Sequence, residues 1–418
     1  MKLRWRIRGL SDAKYGGWQT ASFGDQLQVV LSGPLGAAGL SSAAREVLTV
    51  GLAVFSIERS LPGYFGTNRA AAFEVELGVE EPDRWTKAAI NALVALLSFQ
   101  GDATWQWSFE KVKRISSVVT DATTPDKRPI DRVVLFSGGL DSTSGISTLR
   151  SSTKRIQLVS HYSKQKSSQL AIAEALGYEA PTQARVVRRE LGVRGRTFLY
   201  RSFYFLCFGA AVASSYKVKK ITQFENGLLA TAMPPSPVYF MTRHAHPTVH
   251  RFAEVIFSEL LGGTWSIDNP FLPHTKRDCV DAMRKAVGSK LSAELITQTD
   301  TCWYTNSYQL RANRKKDNGV PCGVCIPCLI RRTAVRAAEG YYDLRKAAVR
   351  SDPVLAREFD AYSQFVTWIG KNRNKPNRLW LEMPTYVRQI SEGNRPLLSR
   401  AQLTSLFERF AREFRVAF

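Results

Sequence analysis

The stretch Arg132-Val133-Val134-Leu135-Phe136-Ser137-Gly138-Gly139-Leu140-Asp141-Ser142 decides the fold. Its first half is a short apolar run closed by a glycine turn, the signature of a buried strand. The two glycines let the backbone turn sharply and bring amide N–H groups close to an anion. A helix starting at Leu140 would aim its positive end at the same point, so a phosphate fits there. Ser137 and Ser142 can donate hydroxyl hydrogen bonds. Asp141 suits Mg²⁺ or the loop itself rather than direct contact with a phosphate. An ordinary strand-to-helix turn is the competing reading, but a chance match to the specified positions is roughly one in a million per position. The Lys of a Walker A loop is missing, so simple γ-phosphate hydrolysis is not implied.

Working outward, Ile156 to Val159 predicts a second strand after the helix, giving a βαβ unit with a parallel sheet. Residues 199–215 and 247–261 read as further packed helices. Before the loop, Ser42 to Arg59 has helical apolar spacing, and Phe73, Val75, Leu77 and Val79 alternate as in a half-buried strand. Asp83 is the expected N-cap of a helix carrying Ile90, Leu93, Val94 and Leu97, and Trp105, Trp107 and Phe109 alternate as another strand. Thr123 to Pro129 reads as a linker, and beyond Arg332 the chain reads as largely helical, with turns at Asp352-Pro353 and Lys375-Pro376-Asn377. The expected architecture is α/β: a parallel-sheet domain over 128–335, an α+β accessory domain over 1–125 and a helical extension over 336–418.

No apolar run reaches the roughly 20 residues of a membrane span, and Phe203 to Ala213 reads as a buried helix. No apolar segment of a secretory leader follows the basic start, so the expected compartment is the cytoplasm and no membrane partner is expected. The formal net charge of +22 favours an anionic partner. Nucleotide phosphates are the smallest such partner; a nucleic acid is another, and a solvated basic surface is the plain alternative.

Of six cysteines, four (Cys302, Cys322, Cys325, Cys328) fall in one short region. Two overlapping C-x-x-C spacings in Cys322 to Cys328, with Cys302 upstream as a fourth thiol, suit one tetrahedral Zn²⁺ in a closed, structural site. Arg331 and Arg332 stand next in sequence to offset the surplus negative charge. An iron–sulfur cluster and a redox-active thiol set for sulfur transfer are the alternatives. Cys207 and Cys279 read as inert buried thiols.

The Ser137 to Ser142 loop matches the SGGxDS signature of the PP-loop ATP pyrophosphatases, which cleave ATP between its α and β phosphates and adenylate a substrate. The loop and the cysteine pattern closing on Arg331, taken together, are similar to those of the 7-cyano-7-deazaguanine synthase (QueC) family. Gly195-Arg196-Thr197-Phe198-Leu199 resembles that family's GRN segment, and Asn269-Pro270-Phe271 through Lys276 its Pro-Leu to Lys stretch. The resemblance covers about residues 130 to 335. It implies a Rossmann-like fold, a Cys₄ zinc site, ATP and Mg²⁺, and a 7-carboxy-7-deazaguanine-like acid whose carboxylate attacks the α-phosphate. Lys276 or Arg196 would neutralise the phosphates, and Glu225-Asn226-Gly227 would meet the nucleobase edge. Members commonly pair, which implies a homodimer.

The chain departs from the family where a Tyr-Pro-Asp-Cys-Arg segment would stand; here the residues run from Phe240 through His244 and His246 to Pro247. The two histidines read as base-recognising, as general bases, or as packed side chains. The extensions at both ends resemble the larger QueC-like proteins of bacterial anti-phage defence clusters, implying transfer of the acid to an amine on a protein or other macromolecule instead of ammonia. The other readings are nucleic-acid base thiolation by a PP-loop enzyme, and a zinc-ribbon protein that binds nucleic acid through its basic face.

Overall fold

The computed structural model describes residues 2–8, 17–60, 72–150, 155–162, 165–189, 199–236, 239, 241–300, 302, 323–335, 353–392 and 397–418. In chain order the strands are β1 (Lys2–Arg8), β2 (Gln19–Ser22), β3 (Leu27–Gly36), β4 (Ala72–Val79), β5 (Thr104–Lys111), β6 (Val118–Asp126), β7 (Arg132–Leu135), β8 (Ile156–His161), β9 (Thr182–Arg188), β10 (Lys220–Gln223) and β11 (Ser266–Asp268). The helices are α1 (Ser42–Ser60), α2 (Lys87–Gly101), α3 (Leu140–Leu149), α4 (Lys166–Ala175), α5 (Arg201–Ser215), α6 (Gly227–Ala230), α7 (Pro247–Leu261), α8 (Lys276–Gln298), α9 (Ile326–Ala334), α10 (Pro353–Asn372), α11 (Pro376–Glu382), α12 (Thr385–Arg388) and α13 (Arg400–Ala417).

Packing divides the chain into two units. The first, 1–137, 152–223 and 242–269, holds all the described strands; the second is 138–151, 224–241 and 270–418. In the first unit the larger sheet runs β11-β10-β7-β8-β9-β3-β6. β7 to β11 pair in parallel, as the βαβ reading requires, and β3 joins antiparallel to β9 with β6 parallel to β3.

That sheet corrects two expectations. Strands from 1–125 and from 128–335 lie side by side in it, so the boundary at 125–128 separates no accessory domain. Thr123 to Asp126 is not a linker but the end of β6, held in register with β3. The Asp126 carboxylate then fixes the following turn through the Arg128 guanidinium (2.7 and 2.9 Å) and the Tyr216 hydroxyl (2.9 Å). Arg128 above all keeps that carboxyl well below its ordinary range.

The smaller sheet, β2-β1-β4-β5, has the alternation read from the sequence. Phe73, Val75, Leu77, Trp105 and Trp107 are buried, and Phe73 stacks on Trp105 with ring centres 4.0 Å apart. The α2 helix starts later than expected. Asp83 lies in a one-turn segment opened by Pro82, and the N-cap is Thr86, whose hydroxyl oxygen accepts from the Ala89 amide at 3.1 Å.

α1 and α5 cross closely because Gly51 has no side chain: a Cβ there would stand 2.8 Å from the Cys207 Cβ. Cys207 is accordingly a packing thiol, fully buried, as the sequence implied. The carboxylate of Glu58, near the end of α1, accepts from the amides of Leu199 and Tyr200 (3.2 Å for Tyr200) and so satisfies the chain entering α5. Burial pushes this carboxyl up to about 7. A raised carboxyl pKa means stability present below about pH 4.5 and lost as pH rises through 7. Glu58→Gln, which keeps the acceptor, should therefore gain on the wild type by on the order of 2 kcal/mol between pH 5 and pH 8. Urea unfolding at the two pH values reads this directly, and a pH-independent difference would contradict it.

In the second unit α3 lies against α8, and the carboxy-terminal helices share an aromatic core of Tyr362, Phe365, Phe407, Phe410 and Phe414. Among the described residues, no helix is long and apolar enough to cross a membrane.

Candidate functional site

The strand β7 feeds the glycine turn, and Gln169 of α4 steadies the exit by donating from Nε2 to the Ser137 carbonyl oxygen at 3.0 Å. Gly138 sits at φ +76°, the left-handed region that favours glycine. Gly139 is the N-cap of α3 and offers no side chain to the amides of the first turn. The helix therefore starts as an anion site would, with N–H groups that no intrahelical carbonyl can reach. Ser142 does not reach outward as expected: its hydroxyl donates to the Gly139 carbonyl oxygen at 3.0 Å and tightens the turn.

Asp141 carries the most constrained chemistry. It is buried, and its Oδ2 accepts from Lys276 Nζ at 2.5 Å and Asn226 Nδ2 at 2.9 Å. Burial favours the neutral acid, but the Lys276 ammonium together with the hydrogen bonds around the carboxyl, including those of Glu225 and Asn226, holds it below its usual range. Lys276, only 3% exposed at its side chain, is placed by the start of α8, where Thr275 and Asp278 form a capping box. Asp141 Oδ1 is buried with no hydrogen-bond partner among the described residues. An ammonium has three donors, and one is used by Asp141. Among the described residues the pair thus leaves one carboxylate oxygen without a hydrogen bond.

The Glu225-Asn226-Gly227 segment braces this pair. Asn226 Nδ2 also donates to Glu225 Oε1 at 3.1 Å, and Asn226 Oδ1 caps α6 by accepting from the Leu229 amide at 3.3 Å. Asn226 thereby divides its amide hydrogens between Asp141 and Glu225. Gly227 allows close backbone approach, since a Cβ would meet the Leu272 carbonyl oxygen at 2.2 Å. Leu140 is fully buried. Arg196 lies outside the described residues. His244 and His246 belong to the first unit: His246 is the N-cap of α7, its Nδ1 accepting from the Thr248 amide at 3.2 Å, and His244 Nδ1 pairs with the Thr242 hydroxyl at 3.0 Å.

The thiols of Cys302, Cys325 and Cys328 gather within 4.8 Å of one another. Four sulfurs around zinc at about 2.3 Å stand about 3.8 Å apart, so the three described thiols fit one metal ion. Cys322 lies outside the described residues. Cys325 is the N-cap of α9 and Cys328 is in its first turn, where the helix end favours thiolate. Arg331 does not face that charge as expected; it donates to Thr299 Oγ1 and the Ile296 carbonyl oxygen, both at 2.7 Å. Arg332 donates to the Gly323 carbonyl oxygen at 3.3 Å. Cys279 is buried, and burial pushes its thiol up, which leaves it inert.

No family model matches the chain, and no curated protein matches it.

Two residues escaped the sequence reading, while Asn226 was named there without its bond to Asp141. Gln169 carries no local signal. Arg277, whose side chain reaches α9, was discernible only as the neighbour of Lys276 in the Thr275-x-x-Asp278 capping pattern. The Asp141–Lys276 pair should behave as a buried ion pair: Asp141→Asn or Lys276→Met alone costs about 3–5 kcal/mol by stranding the partner. The double variant should cost less than the sum of the singles in urea unfolding, and simple additivity would refute the pairing.

Proposed function

We propose that the protein is an ATP-dependent enzyme of the PP-loop type, which adenylates a 7-deazaguanine-type carboxylate and passes the acyl group to an amine. The observation that carries this reading is the buried Asp141–Lys276 pair with hydrogen-bonding capacity unspent, at the start of the helix that follows the glycine turn. A buried ion pair retained with an unused acceptor is costly unless a ligand completes it.

In this reading the amides at the head of α3 and the Lys276 ammonium hold the phosphates, and Asp141 Oδ1, beside Glu225, holds Mg²⁺. Mg²⁺ would supply charge neutralisation on the departing pyrophosphate. The substrate carboxylate oxygen attacks the α-phosphorus, the bond to the β-phosphate bridging oxygen breaks, and pyrophosphate leaves with the electron pair. The amine nitrogen then adds to the acyl carbon and loses a proton, and AMP departs. Adenylation turns a poor leaving group into a good one, which is why forming an amide consumes ATP. Ammonia, a protein or a nucleic acid can supply that amine; a macromolecular acceptor and a part in anti-phage defence suit the long extensions. Zn²⁺ on Cys302, Cys325 and Cys328, with Cys322 as the fourth thiol, would be structural.

Purified protein with ATP and Mg²⁺ should release pyrophosphate only when 7-carboxy-7-deazaguanine is added. Lys276→Met should lower that release at least 100-fold. Zinc-loaded, folded protein that releases none with the acid present would sink the adenylation reading.

A further inference from the structure

The helix that begins at the cysteines ends on the helix that begins at Lys276. The last carbonyls of α9 have no intrahelical donors, as at any helix end. One of them, Thr333 O, accepts from both Nε and Nη2 of Arg277, at 3.0 and 2.6 Å. Arg277 directly follows Lys276 at the start of α8. A guanidinium giving two hydrogen bonds to one carbonyl oxygen is a directed tie, and its charge strengthens both.

The second tie, from Arg331 to Ile296 and Thr299, grips the other end of α8. It does not reach Lys276 as a rigid lever, because α8 breaks at Gly288, where φ is +81° and ψ is 164°. The half of α8 that carries Lys276 is held by Arg277 from the cysteine helix. α13 holds the same end through Glu413 on the Thr275 hydroxyl at 2.8 Å and Arg409 on Asp278 at 3.3 Å.

We infer that Arg277 is a positioning residue that couples the thiol cluster to Lys276, so that metal on the cysteines sets the affinity of the Asp141–Lys276 site for nucleotide. The inference rests on the nucleotide reading of that site. Metal orders the start of α9, α9 presents Thr333 O, and Arg277 fixes the first turn of α8. Loss of the metal or of the guanidinium loosens the same turn, so the two losses are not additive.

The test is hydrogen exchange of the backbone amides of residues 276–287, read by mass spectrometry on the full chain, with zinc content measured alongside. Chelation of zinc should raise exchange there in the wild type. Arg277→Ala should show that raised exchange with zinc still bound, and Arg277→Lys should restore part of the protection. The Kd for ATP should weaken about tenfold on chelation of the wild type and in zinc-loaded Arg277→Ala, with little further loss when that variant is chelated. Wild-type protection in zinc-loaded Arg277→Ala, or an ATP affinity in it as zinc-sensitive as the wild type's, overturns the coupling. So does a chain that takes up no zinc. If chelation unfolds the second unit as a whole, the zinc-loaded Arg277→Ala decides alone. If the wild type binds no ATP, the nucleotide reading and the affinity arm fall, and the exchange data still judge the Arg277 tie.

Discussion

The meeting of α3 and α8 in the second unit is organised by one costly contact: a carboxylate and an ammonium, far apart in the chain, buried against each other at 2.5 Å. Taking either charge out of water alone would cost several kcal/mol, so each must find the other. Asp141 is delivered by the first turn of α3, Lys276 by the first turn of α8, and the packing of these two helices closes the pair. Asn226, the Thr275 capping box and the close approach at Gly227 are the fittings that keep the geometry.

Local chemistry made the turn readable. Gly138 needs a positive φ, the strand before it is apolar, and three thiols at C-x-x-C spacing can turn around one centre; each is a property of neighbours in sequence. Lys276 was named through resemblance, and its partner could not be, because nothing near Lys276 says which carboxylate it meets. Asn226 and Ser142 show the opposite error. Both have donors suited to a ligand, yet Ser142 gives its hydroxyl to its own turn and Asn226 divides its amide hydrogens between Asp141 and Glu225, which residue type alone does not reveal.

The domain reading failed for a similar reason. Thr123-Thr124-Pro125-Asp126 has the composition of a linker, yet β6 is an edge strand, where proline and polar residues are tolerated because one side needs no partner. Composition records the exposed edge and is blind to β3 on the other side. Asp83 likewise has the right chemistry for a cap, but Pro82 claims the turn before it and Thr86 takes the position.

The placing of β3 between β9 and β6 also governs how the chain can be made. A ribosome releases Leu27 to Gly36 long before it releases Thr182 to Arg188, the strand that covers its other edge. At ribosomal rates the wait is on the order of ten seconds, far longer than a hairpin needs to form. Until then the nascent chain exposes an apolar strand edge, a template for the wrong partner. The fold is therefore bought with a vulnerable interval during synthesis, and a translational pause before Arg188 would lengthen it.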